Sequence, residues 1–135
     1  MAFEFIKDED GAYPAVRALS EIAGTASILI AGELLSNIHG GNGLMLGNIS
    51  GVPPTEGVII GAGTVGESAA RSANGLGARV KIYDNNISKL RTVQSILVDN
   101  SYTYNLQPKN HINAFKRHIV AIGALRVMNR TPVDV

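Results

Sequence analysis

Val58-Ile59-Ile60-Gly61-Ala62-Gly63-Thr64-Val65-Gly66 is the stretch on which the reading of this chain turns. Three β-branched residues bounded by glycine read as a short buried strand. The glycines at 61, 63 and 66 keep the spacing G-x-G-x-x-G, and Thr64 to Ala73 continues with Ala and Ser at helical spacing. A strand, a glycine turn and a helix in direct succession give the hexamer the context it needs to mean more than a chance match. Gly61 permits a tight turn, Gly63 bares the backbone for close approach of an anion, and Gly66 lets helix and strand sit close together. Thr64 and Val65 open the helix, where unpaired amides and the positive end of the dipole favour a pyrophosphate.

Outward from this point the same alternation continues. Val80-Lys81-Ile82-Tyr83 predicts a second strand, Ile87 to Leu97 a helix, Tyr102 to Leu106 a third strand, Asn113 to Arg117 a helix, and Ile119 to Ile122 a fourth strand ending at Gly123. This order builds a parallel sheet through crossover helices. The expected fold class is therefore α/β: a Rossmann-like parallel sheet of about four strands, half of a doubly wound fold.

Upstream, residues 1–13 are a polar lead-in. Pro14 suits a helical first turn, and Val16, Leu19, Ile22, Ala23, Ala26, Leu29, Ile30, Leu34 and Ile38 recur at spacings of three and four, so a long helix is expected over 14–39. Small residues at 23, 24, 26, 31 and 32 keep that helix slim enough for close packing. A Gly/Pro connector over 40–54 then links what reads as a free-standing helix to the unit over 55–135, the whole of 14–135 being read as one dinucleotide-binding domain.

Asp84 closes the second strand, eighteen residues beyond Gly66. A carboxylate there accepts both hydrogen bonds of an adenosine ribose and repels a 2′-phosphate, which favours NAD over NADP. A second reading stays open: Asp84, Asn85 and Asn86 are all good N-caps for the next helix. The glycine loop likewise reads either as a cofactor cradle or as a tight structural turn.

Composition excludes other chemistries. The 135 residues suffice for one domain with its own core. There is no cysteine, hence no disulfide, thiolate metal site or cysteine nucleophile. Twelve Lys and Arg against eleven Asp and Glu are scattered without a basic stripe, so no nucleic-acid partner is expected. Glu21 and Glu33 bracket the most apolar run and leave too few uninterrupted apolar residues to cross a bilayer. With no leader pattern at Met1, a soluble, cytoplasmic protein with no membrane partner is expected. Of the histidines, His111 and His118 are two helical turns apart and His39 lies in the connector, so no metal site is expected. Ser68 lacks the flanking glycines of a nucleophile elbow, and no Gly-Lys-Ser/Thr phosphate loop occurs.

The residues also resemble a family. Gly43-Leu-Met-Leu-Gly-Asn-Ile-Ser-Gly-Val-Pro-Pro-Thr-Glu56, the run Val58 to Arg71 and Gly75-Leu-Gly-Ala-Arg-Val-Lys-Ile-Tyr-Asp84 closely resemble the NAD-binding domain of alanine dehydrogenase, a domain type shared with proton-translocating transhydrogenases. Ser20-Glu-Ile-Ala-Gly24, Lys89-Leu-Arg91 and Ala121-Ile-Gly-Ala124 also fit, so the resemblance spans roughly residues 5–133. It implies NAD as cofactor and, in the intact family, oxidative deamination of L-alanine to pyruvate and ammonia. By position it implies Asp84 on the adenosine ribose, Lys89 near the adenosine end, Ser20 contacting the cofactor from the first helix, and Leu125 near the nicotinamide. Lys89 reads equally as a solvated first-turn lysine, and Ser20 as a mid-helix serine bonding its own backbone. The family's substrate-handling lysine, histidine and acid fall outside this chain, so a cofactor-binding fragment without catalytic residues is expected.

An apolar sheet edge left after four strands predicts a homo-oligomer, a dimer that exchanges the first helix or an edge. Two other classes compete: a non-catalytic nucleotide-sensing or assembly module, and a methyltransferase, against which the G-x-G-x-x-G spacing argues.

Overall fold

The computed structural model describes residues 5–97, 101–105 and 120–123. Helix α1 runs over Pro14–Leu35; a single 3-10 turn follows at Asn37–His39. Strand β1 (Glu56–Ile60), helix α2 (Thr64–Gly75), strand β2 (Arg79–Asp84), helix α3 (Ile87–Ile96), strand β3 (Ser101–Asn105) and strand β4 (Val120–Gly123) complete the order. The four strands form one sheet in the order β3-β2-β1-β4, every pairing parallel. Glu56 to Ile60 face Arg79 to Tyr83, and Gly57 to Ile60 face Val120 to Gly123. The Rossmann-like α/β expectation thus holds, with strand edges moved by one or two residues. The helix expected at Asn113–Arg117 lies outside the described residues.

β2 alternates half-buried and buried positions along its length. Its buried Val80 and Ile82 join Ile59 of β1 in one cluster with Ala69, Ala70 and Ala73 of α2 and Leu90 and Val93 of α3. Alanines on α2 let that helix lie low on the sheet, while α3 contributes the larger side chains. Burying these apolar groups is the main term holding the layers together.

The first helix departs from expectation in three respects. It ends at Leu35 rather than running to 39, because Ser36 turns extended, with ψ near 142°, and its hydroxyl caps the short turn by accepting from the Ile38 N–H. The freed carbonyl of Leu35 is taken up by the amides of Gly43 and Leu44, which fold the connector back onto the helix end. Second, the helix is not free-standing. It packs on α2 through Gly24, where a side chain would collide with the Val65 carbonyl and with Ser68 and Ala69. Third, the stripe that α1 buries is Gly24, Ile28, Ala31 and Leu35, and Leu19, Ile22, Leu29, Ile30 and Leu34 are left more than half exposed. Bulk was a poor guide here, because the glycine sets which face can approach α2.

By length and composition α1 also meets the measure of a membrane-crossing helix, with mean hydropathy 1.4 over its most apolar window. Glu21 and Glu33 therefore do not bring the helix below that measure, which the core helix of a soluble protein passes as well. Among the described residues its inner stripe is committed to α2.

Candidate functional site

The site forms where β1 and β2 end. Gly61 follows β1 with φ 107°, a conformation that side chains resist, and its N–H donates to the Tyr83 carbonyl at 2.7 Å. The chain then turns through Ala62 into α2, whose N-cap is Gly63. A Cβ on Gly63 would meet nothing within 4 Å, so the backbone there stands bare to open space. On Gly66 a Cβ would overlap the Gly61 carbonyl oxygen. The three glycines therefore do different things: 61 makes the turn, 63 leaves the opening, and 66 allows α2 to touch the end of β1.

No side chain caps α2. Its first intrahelical bond runs from the Glu67 N–H to the Gly63 carbonyl at 2.8 Å, which leaves the amides of Thr64, Val65 and Gly66 at the open end. Those donors, with the helix dipole behind them, suit an anionic group. Glu67 in the same turn is tied to Arg71 at 2.6 Å.

Asp84 is buried, 6% exposed, and its carboxylate points at the turn. Oδ2 accepts from the Ala62 N–H at 2.6 Å, and Oδ1 accepts from the Asn86 N–H at 2.7 Å. The cap of α3 is Asn86, whose side chain accepts from the amides of Ser88 and Lys89. Of the two readings of Asp84, the helix cap is thereby removed. A carboxylate carries about four lone-pair sites, so two bonds inward leave acceptor capacity for hydroxyl groups arriving from the open side.

The remaining expected residues are placed as follows. Ser20 lies half-buried on α1, one turn before Gly24, on the side that meets the first turn of α2. Among the described residues its hydroxyl has no backbone partner, whereas Ser27 does bond back, to the Gly24 carbonyl at 2.7 Å. Lys89 stands exposed in the first turn of α3. Leu125 lies outside the described residues. The structure thus brings Gly61, Gly63, Thr64, Val65, Gly66 and Asp84 to one mouth, with Ser20 on the neighbouring helix.

Two features escaped the sequence. Ala62 supplies the amide that anchors Asp84, a link between the loop's variable position and a carboxylate 22 residues on. Tyr83 and Tyr104 stack with ring centroids 5.1 Å apart, near the ends of β2 and β3. Burial raises the Tyr83 phenol above its ordinary 10, and Tyr104 adds to the rise. No group of three or more metal-ligating side chains is present among the described residues.

A parallel sheet in this order, with a glycine turn feeding a helix N-terminus beside a strand-end carboxylate, defines a Rossmann-like α/β domain of the nucleotide-binding kind. The family model described as "Alanine dehydrogenase/PNT, C-terminal domain" matches residues 27–133, and the chain belongs to that family. Alanine dehydrogenase of Mycobacterium tuberculosis is 38% identical over 127 residues, covering 94% of this chain and 34% of the relative. That of Bilophila wadsworthia is 41% identical over 96 residues, covering 71% of this chain and 26% of the relative. A solved L-alanine dehydrogenase superimposes with TM-score 0.86 at 32% identity, covering 96% of this chain and 36% of that one. The chain spans about a third of the length of these relatives. The family resemblance read from residues 43–84 is thereby shown.

Proposed function

We propose that residues 14–135 form an NAD(H)-binding domain, the cofactor-holding part of an alanine dehydrogenase type of oxidoreductase. The observation that carries this reading is the open backbone at Gly63 beside the anchored carboxylate of Asp84. Gly61, Gly63, Thr64, Val65 and Gly66 would hold the pyrophosphate through bare amides, and Asp84 would accept the adenosine ribose hydroxyls. Lys89 would lie at the adenosine end, Ser20 would reach the cofactor from α1, and Leu125 would lie near the nicotinamide. The cofactor, when bound, supplies the hydride-transferring ring.

Catalysis needs more than this cradle, since rate comes from holding a substrate carbon against the ring with a positioned base. In this reading the chain supplies no catalytic residue. Oxidative deamination of L-alanine, carried over from relatives three times as long, requires parts beyond it. The chain acts in the cytoplasm and as a homo-oligomer.

Titration of the chain with NADH, followed by its fluorescence, tests the reading. Saturable binding below millimolar concentration, with NADPH weaker, is expected; no saturation by millimolar NADH overturns it. The exposed apolar stripe of α1 favours a second reading, a non-catalytic sensing or assembly module. Self-association together with a melting temperature indifferent to NADH would select it.

A further inference from the structure

The triplet Asn-Gly-Leu occurs twice in the chain, at 42–44 and at 74–76, and the fold treats the two copies oppositely. Asn42 is exposed in the connector that folds back over the end of α1, and Gly43 follows it with φ 70°. Glycine after asparagine leaves the backbone nitrogen unshielded, since it has no Cβ; a Cβ built on Gly43 would meet nothing nearer than Asn37, at 3.8 Å. Asn74 and Gly75 close α2 instead. Helical geometry spends the Gly75 N–H on the preceding turn and tilts the Asn74 side chain the same way, away from the nitrogen that follows it. The Asn74 carbonyl also accepts from the Gly77 N–H at 2.8 Å, beside the bond from the Ala78 N–H to the Ala73 carbonyl at 3.0 Å, so that end of α2 is pinned twice.

At the first copy a single hydrogen bond restrains the nitrogen. The Gly43 N–H donates to the Leu35 carbonyl at 3.0 Å, and the same oxygen accepts from the Leu44 N–H at 3.2 Å. When the Gly43 amide lets go, the last carbonyl of α1 keeps a donor, so the opening leaves no acceptor bare and costs little. The pair at 42–43 lies between elements, so no helix or strand has to break with it.

We propose that Asn42 and Gly43 form a spontaneous modification site whose conversion unfastens the connector from α1. The Gly43 nitrogen, its proton taken by hydroxide, attacks Cγ of Asn42. The N–Cγ bond forms, the Cγ–Nδ2 bond breaks, and ammonia leaves with a proton from water, which restores the hydroxide. Water then opens the cyclic imide: breaking the new N–Cγ bond gives aspartate, and breaking the original peptide bond gives isoaspartate. The imide has no N–H at 43, and isoaspartate carries the main chain through Cβ and Cγ, one methylene longer, so the Gly43 bond to Leu35 is not remade in its old register. Either product sets a carboxylate against the negative end of the α1 dipole, which repels it. Glu33, paired with His39 at 3.1 Å, already stands in that last turn. The connector meets α2 at Leu76, at the other end of that helix from Gly63, so the proposal stands apart from the cofactor reading.

Incubation of the chain in mildly alkaline buffer, followed by peptide mass mapping and an enzymatic assay of isoaspartate, tests this. Because the two triplets are identical, the second is an internal control for the chemistry of the first. Asn42 is expected to convert at least about tenfold faster than Asn74, since α2 must open locally before its own pair can react, and to convert faster as hydroxide rises. In urea the two are expected to convert at like rates. Asn42→Gln, whose longer side chain closes the larger ring slowly, is expected to stop conversion at 42 and leave Asn74 as it was. In converted chains, hydrogen exchange in the peptide over residues 36–47 is expected to quicken at least about tenfold. A native chain in which Asn42 leads Asn74 by less than that, a lead that persists in urea, or isoaspartate that survives Asn42→Gln overturns the site. Conversion at 42 without faster exchange overturns the unfastening.

Discussion

The Ala62 N–H donates to Oδ2 of Asp84 across 2.6 Å, joining the tip of β1 to the tip of β2 inside the protein. The other oxygen holds the Asn86 amide, so one carboxylate organises the glycine turn and the entry to α3 together. Asp84→Asn offers one carbonyl oxygen to two amides, the buried one of Ala62 and the part-buried one of Asn86, and its NH₂ cannot accept. An amide left without an acceptor costs roughly 1–3 kcal/mol. Urea unfolding is expected to show that loss, and NADH affinity is expected to fall about tenfold or more, or about 1.4 kcal/mol. Unchanged values of both would deny Asp84 its role.

The second and third glycines of the loop are predicted to fail in different ways. Gly63→Ala places its methyl in open space, so stability changes by less than about 1 kcal/mol while NADH affinity drops at least tenfold. Gly66→Ala drives its methyl into the Gly61 carbonyl, and a backbone group cannot swing away; a loss of about 1–3 kcal/mol is expected. Melts and titrations of both variants measure the contrast. Equal loss of stability in the two would contradict the assignment.

Gly24→Ala sets two effects against each other. Alanine is the better helix former by about 1 kcal/mol, but its Cβ would stand 2.7 Å from the Ser68 Cβ and 2.9 Å from the Ala69 N. Both lie on α2, so the helices must part, and overpacking of this kind costs about 1–3 kcal/mol. Net destabilisation is expected, with weaker NADH binding because the open turn of α2 moves too. A gain in melting temperature would show that α1 is less tightly seated.

The acid limb of stability should depend on Glu56. Burial raises its pKa, but Lys81 at 3.5 Å and Arg79 at 3.2 Å outweigh that and hold it below the ordinary 4.5. A carboxylate depressed in the folded state contributes stability above its unfolded pKa and loses it as pH falls through the folded value. Melting temperature is expected to fall below about pH 4.5 and to fall less steeply in Glu56→Gln. Because the side chain is about a third exposed, solvent screening keeps the effect small. Parallel melting curves across pH 3 to 6 in both proteins would refute it.

Much of the site was legible because its determinants are local. Val58-Ile59-Ile60 has the branching of a strand, Gly61 takes a positive φ that follows from having no Cβ, and Asp84 ends a second strand of alternating pattern. None of these needs a distant partner to be recognised, and the family resemblance added the connector upstream over 40–54.

What the sequence by itself determined is the succession of strand, glycine turn, helix, strand and acid, since period and turn chemistry act within a few residues. Only the tertiary structure decided which side of α1 is buried and where the oxygens of Asp84 go. α1 carries large apolar residues on more than one face, so hydrophobicity alone could not choose between them; close approach did, because at Gly24 α1 meets the first turn of α2. Asp84, likewise, found its donor at Ala62 only once two strand ends stood side by side.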